Sequence, residues 1–140
     1  MTIDPSPAAQ SVMPAQLPPE PAARTVYSYG VRTGDYLHIS GMVAFDSEAS
    51  IVGEGDIEAQ TEQVFRNLQA VTEEAGGSIN DIVSTTTYLI DVTVAPVISA
   101  ARARHFTGPV LPTHTVVGVA ALARPQFLVE ISAVAYLGRA

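Results

Sequence analysis

The chain reads as an α+β domain, a mixed β-sheet with two helices on one face. Three observations point to it. A run from Tyr36 to Val43 alternates in the manner of a strand. Two stretches with helical spacing, Ile57 to Ala75 and Pro96 to Phe106, bracket a β-branched run from Ile82 to Ile90. Two further apolar runs, Thr115 to Leu122 and Phe127 to Leu137, close the chain. Strand–helix–strand crossovers joined to hairpins give this class.

The elements follow in order. Residues 1 to about 24 hold six of the ten prolines, with alanine, serine and glutamine between them. No helical or strand period survives that spacing, so an extended or mobile arm is expected, with a single domain over 25–140. In the first strand Leu37, Ile39, Gly41 and Val43 share one face, and Tyr36, His38, Ser40 and Met42 the other. Ile51-Val52 suits a short return strand. Val64, Leu68, Val71 and Ala75 form the stripe of the first helix, with Phe65 beside it. Asp56 suits its N-cap and Gly76-Gly77 its stop. Pro96 fits the first turn of the second helix, and Gly108-Pro109 ends it. The last two strands join around Ala123-Arg124-Pro125. No internal repeat is visible.

Composition excludes several functions. The chain has 140 residues, 47% of them hydrophobic and 15% charged, which suits one globular domain. There is no cysteine, so disulfides, thiolate nucleophiles and cysteine-bound metals are excluded. All seven basic residues are arginine, which excludes lysine Schiff-base chemistry and a P-loop. The net charge of −7 argues against sequence-independent nucleic-acid binding. His38, His105 and His114 show no metal-binding spacing, and no phosphate cradle or GxSxG elbow is present, so neither metal nor cofactor is expected. No apolar run suits a membrane span and the N-terminus does not resemble a secretory signal, so a cytoplasmic protein is expected. In the last strand Phe127, Val129, Ile131, Ala133 and Ala135 alternate with Leu128, Glu130, Ser132, Val134 and Tyr136. Both sets read as largely apolar, so a partner subunit is expected to cover the sheet face that the helices leave open.

The ordered set of Tyr27-Ser28, Gly34 through Gly41, Gln60-Thr61, Asn67-Leu68, Ala75 through Ser78, Thr87-Tyr88-Leu89 and Val129 through Ala135 resembles the RidA/YjgF family. These are reactive-intermediate deaminases, which hydrolyse enamines and imines to a carbonyl compound and ammonia. The resemblance spans about Tyr27 to Tyr136. It implies a chorismate-mutase-like fold, a homotrimer with a barrel-like core of packed sheets, and substrate pockets between subunits. It also implies departures. Where the family carries a carboxylate-gripping arginine after proline and a small residue, this chain has Pro112-Thr113-His114. The usual asparagine of the second helix is Ser99, the aromatic residue three positions on is Arg102, and the glutamine after Ser-Gly is Met42. The spacing from His114 to Glu130 is sixteen, as in the branch containing 2-aminomuconate deaminase, although that branch keeps the arginine.

Glu130 is a lone carboxylate in an apolar strand. It must be hydrogen-bonded or protonated, and it reads either as the acid/base that holds an attacking water or as the anchor of a subunit contact. His114 occupies the anion-gripping position and suits a donor to a carboxylate, carbonyl or phenol, or a base; histidine lacks arginine's planar fork. Tyr27, Ser40 and Gly41 match pocket positions, Tyr27 reaching from a neighbouring subunit and Gly41 allowing close backbone approach. Tyr88 reads as site lining or core. Arg102 reads as a solvated helix charge or as a replacement for the missing arginine. Thr115 and Val116 complete the substrate-binding set. The expected activity is cofactor-independent enamine/imine hydrolysis of a small molecule. The alternatives are altered chemistry in the same pocket, such as tautomerisation or cyclisation, and ligand binding alone.

Overall fold

One six-stranded sheet carries the molecule, in the order β1–β2–β3–β6–β4–β5. The computed structural model describes residues 8–19 and 26–138. The strands are β1 (Gln10–Val12), β2 (Gly30–Thr33), β3 (Tyr36–Met42), β4 (Ile82–Leu89), β5 (Thr113–Gly118) and β6 (Val129–Tyr136). The helices are α1 (Ile57–Glu74) and α2 (Ala95–His105), both packed on one face. β4 and β5 are parallel, as the α2 crossover requires, and the other pairings are antiparallel. The sheet of one chain is open, with β1 and β5 as its edges.

α1 forms where the 3.6-residue stripe predicts it. Asp56 accepts a hydrogen bond from the Ala59 N–H, and Gly76 leaves the helix at φ +90°. Val64, Phe65, Leu68 and Val71 are fully buried against Leu37, Ile39, Met42, Val129, Ile131 and Ala135. α2 contributes Ile98 and Ala101 to the same core. It closes at Phe106, whose N–H donates to the Arg102 carbonyl, two residues before Gly108.

Several expectations are corrected. Gln10–Val12 lies within the proline-rich arm yet pairs with β2, and Val12 and Leu17 are buried in the core. Tyr29 Oη donates to the Pro18 carbonyl there. The remainder of the arm, 1–7 and 20–24, lies outside the described residues. Ile51 makes one bridge to Phe45, so Ile51-Val52 is not a strand. β5 begins at Thr113 and stops at Gly118 rather than running from Thr115 to Leu122, and it forms no hairpin with β6. The apolar run Val119–Leu122 misleads because only the Val119 N–H finds a strand partner, the Leu89 carbonyl.

β3 also departs from strict alternation. Ile39 pairs with Ala133 and Met42 with Ile131, so Ser40 and Gly41 together oppose the single residue Ser132. This bulge turns Met42 into the core beside Leu37 and Ile39, not onto the face of Tyr36 and His38. The open sheet face is likewise less apolar than expected. Its shallow groove of about 190 Å³ is lined by His38, Ser84, Thr86 and Ser132 as well as Val134. Apolarity of this face therefore gives little support for a covering subunit.

Candidate functional site

The β3 bulge builds the first half of the site. Ser40 Oγ donates to the Ser28 carbonyl at 2.6 Å, and the Ser40 N–H donates to the Tyr29 carbonyl at 2.8 Å. These bonds tie the segment bearing Tyr27 to the bulge. Tyr27 meets Tyr29 edge to face, with ring centroids 5.9 Å apart. The Glu130 side chain lies directly over Gly41: an added Cβ there would fall 2.7 Å from the Glu130 carboxyl carbon. Any side chain at 41 would displace the carboxylate, so glycine is required by close approach.

Glu130 sits on the open sheet face opposite Tyr88 of β4. Among the described residues its carboxylate has no hydrogen-bond or salt-bridge partner. Burial alone pushes its pKa above the ordinary carboxylate value. The Tyr27 phenol is also pushed up, first by burial and then by the negative Glu130, with Arg124 opposing. Tyr27 therefore lies within electrostatic reach of both Glu130 and Arg124 of its own chain.

The second half lies across the sheet. His114 is exposed on edge strand β5, in register with Thr85. Thr85 is buried on the helix side of β4 and, in a parallel pair, registered residues share a face. His114 thus stands on the α2 side with Arg102. Burial and then the Arg102 charge hold the His114 pKa below the usual histidine value, so its imidazole is neutral at neutral pH. Arg102 Nη1 donates to Thr85 Oγ1 at 2.6 Å and Nη2 to the Pro112 carbonyl at 3.2 Å. Its guanidinium lies 5.0 Å from the Phe106 ring centroid. Arg102 is therefore built into the structure rather than being a solvated helix charge.

Glu130 and His114 do not meet within one chain. Glu130 registers with Tyr88, three residues along β4 from Thr85, and β4 separates β6 from β5. Standard strand spacings place the two Cα atoms about 14 Å apart, and the side chains point to opposite faces. Tyr88 joins Glu130 on the open face, as does exposed Thr115, the register partner of Thr86. Val116 instead packs its side chain against the core. Tyr27, Ser40, Gly41, Tyr88 and Glu130 form one cluster; His114 and Arg102 form another.

Two contributors escape a reading of the chain in order. Gln60 is fully buried on α1, where its Nε2 donates to the carbonyls of Gly53 and Gln126, and its Oε1 accepts from the Leu128 N–H. It pins the loop that leads into β6 and Glu130. Its signal was a polar residue at the start of an apolar helix stripe. Arg124, in the loop before β6, stacks its guanidinium 5.9 Å from the Phe127 ring. Nothing in its local sequence links it to Tyr27. Among the described residues no group of three histidine or acidic side chains could hold a metal, and no helix is long and apolar enough to cross a membrane.

Comparison with known proteins decides the family. The family model described as Endoribonuclease L-PSP matches residues 18–137. The chain belongs to the RidA/YjgF family. A RutC family protein of Pyrococcus horikoshii is 36% identical over 110 residues, covering 79% of this chain and 86% of that one. The solved RidA of an Antarctic Psychrobacter is 34% identical with a TM-score of 0.80, covering 91% of this chain and 98% of that one. The Rid-family protein YyfA of Yersinia pestis is 29% identical with a TM-score of 0.83, covering 92% and 99%. The fold of this RidA/YjgF member is thereby that of the family.

Proposed function

We propose that this RidA/YjgF member hydrolyses a reactive enamine or imine to a carbonyl compound and ammonia, at a pocket completed between subunits. The observation that carries the reading is the Glu130 carboxyl: half-buried, raised in pKa and without a hydrogen-bond or salt-bridge partner among the described residues of its own chain. A desolvated carboxylate so placed is suited to take and return a proton. The enamine takes a proton on carbon and becomes an iminium. A water held by Glu130 adds to the carbon and gives up its proton to the carboxylate. Glu130 returns that proton to nitrogen, the C–N bond breaks and ammonia leaves, while the hydroxyl oxygen gives up its remaining proton through the carboxylate to solvent as the carbonyl forms, which offsets the proton first taken on carbon. The Tyr27 phenol lies within electrostatic reach of the same carboxylate.

The separation of the two half-sites supports a homotrimer. His114 and Arg102 reach a Glu130 only if β5 of one chain meets the open sheet face of another. The ribonuclease activity in the family model's description finds little support here, because a net charge of −7 repels a phosphate backbone.

The test is a coupled assay in which an amino-acid oxidase generates the imine of phenylalanine or leucine, beside a dehydratase that generates 2-aminoacrylate, and the loss of each imine is followed. Glu130→Gln is expected to lower turnover by about a hundredfold or more while the chain stays folded. Unchanged turnover would overturn the acid/base role. Sedimentation equilibrium is expected to give a trimer, and an active monomer would overturn the shared pocket.

A further inference from the structure

A cleft of about 430 Å³ opens between α2 and the loop before β5, lined by Ser99, Arg102, Ala103, Phe106, Leu111 and Pro112. Its size falls within the range of small-molecule sites. Its walls are mainly apolar, with one cation. Among the described residues that cation has no carboxylate partner: the salt bridges made by α2 belong to Arg104 and His105, which both engage Glu62.

Arg102 is held firmly nonetheless. Its two hydrogen bonds go to neutral oxygens, those of Thr85 and Pro112, and Thr85 Oγ1 itself donates a hydrogen bond to the Thr113 carbonyl. The relay fixes the guanidinium plane without cancelling its charge. Among the described residues, three of its five N–H donors have no acceptor. A fixed, partly desolvated, uncompensated fork beside an aromatic ring and an exposed leucine is a receptor for an anion with an apolar body.

We infer that this cleft binds the carboxylate of an amphipathic substrate, with Arg102 gripping the anion and Phe106 and Leu111 flanking its apolar body. The inference rests on the deaminase reading for the claim that the ligand is a substrate, and it names the class: an imino or enamino acid with a phenyl-sized or branched side chain rather than the smallest member. The smallest would leave the apolar walls uncovered. His114, on the same face, lies within electrostatic reach of Arg102.

The test measures binding without turnover. Phenylacetate, uncharged 2-phenylethanol and acetate are titrated into the full-length protein by calorimetry. Phenylacetate is expected to bind at least about tenfold more tightly than either of the others. Arg102→Gln is expected to bring phenylacetate down to the level of 2-phenylethanol. Amide chemical-shift mapping on the native protein should localise the change to Ser99, Ala103, Phe106 and Leu111. This mapping decides the matter even where Arg102→Gln fails to fold. Equal affinity for phenylacetate and 2-phenylethanol, or shifts confined elsewhere, would overturn the assignment. Binding at the cleft with no turnover of any enamine would remove the deaminase reading alone; turnover with no cleft binding would remove this one alone.

Discussion

Replacing Gly41 by alanine separates folding from chemistry in this protein. The added Cβ would lie 2.7 Å from the Glu130 carboxyl carbon and 3.0 Å from its Cγ. Carbon atoms at rest sit about 3.5–4.0 Å apart, so the carboxyl group must retreat by about 1 Å. Gly41 is not among the glycines with positive φ, which are Gly34, Gly53, Gly55 and Gly76, so alanine meets no backbone penalty there. The loss of unfolded-state freedom by itself favours the variant by about 0.4–1 kcal/mol. Stability should therefore stay within about 1 kcal/mol of the native chain in urea unfolding. Turnover in the coupled assay should fall about a hundredfold, the usual consequence of moving a catalytic group by about 1 Å. Adding Gly41→Ala to Glu130→Gln should cost nothing further, because the displaced group is already inactive. Full turnover by Gly41→Ala, with Glu130 still essential, would refute the claim that the bulge positions the carboxylate. A stability loss beyond about 3 kcal/mol would refute the claim that only a side chain has to move.

Gln60→Leu should destabilise by about 3 kcal/mol, because it strands the Gly53 and Gln126 carbonyls and the Leu128 N–H; turnover should fall with it, since the loop leading into Glu130 loses its tether, and urea unfolding beside the coupled assay checks both. Thr87→Val should stabilise by about 1 kcal/mol in thermal unfolding, because Thr87 Oγ1 is buried without a hydrogen-bond partner and valine keeps the shape. Glu130→Gln should gain stability relative to the native chain as pH rises: a raised native pKa means the native fold is favoured below about 4.5 and loses that advantage up to the raised value, whereas glutamine has nothing to ionise. Urea midpoints between pH 4 and 7.5 should diverge in that direction; parallel curves would show that Glu130 is not desolvated.

The helices and the principal strands were legible in the chain because each is dictated by local periodicity. The α1 stripe, its Asp56 cap and the Gly76 stop depend on residues within a few positions of one another. Glu130 was legible for a related reason: a carboxylate between Val129 and Ile131 is a local contradiction that chemistry must resolve. The resemblance that named the family was likewise carried by short segments in order.

Tertiary structure alone decided the rest. β1 has no period of its own and exists because β2 offers it an edge. The bulge at Ser40 and Gly41 is a matter of register, visible only once Ile39 and Met42 are seen to meet Ala133 and Ile131. Gln60 and Arg124 gain their roles from partners far along the chain. Most consequentially, β4 runs between the strands of His114 and Glu130 and pairs them with Thr85 and Tyr88, three residues apart, which sets the two side chains at a distance and on opposite faces. A sequence lists side chains in order but does not record which strand lies between which, and face and distance follow from that insertion and its register.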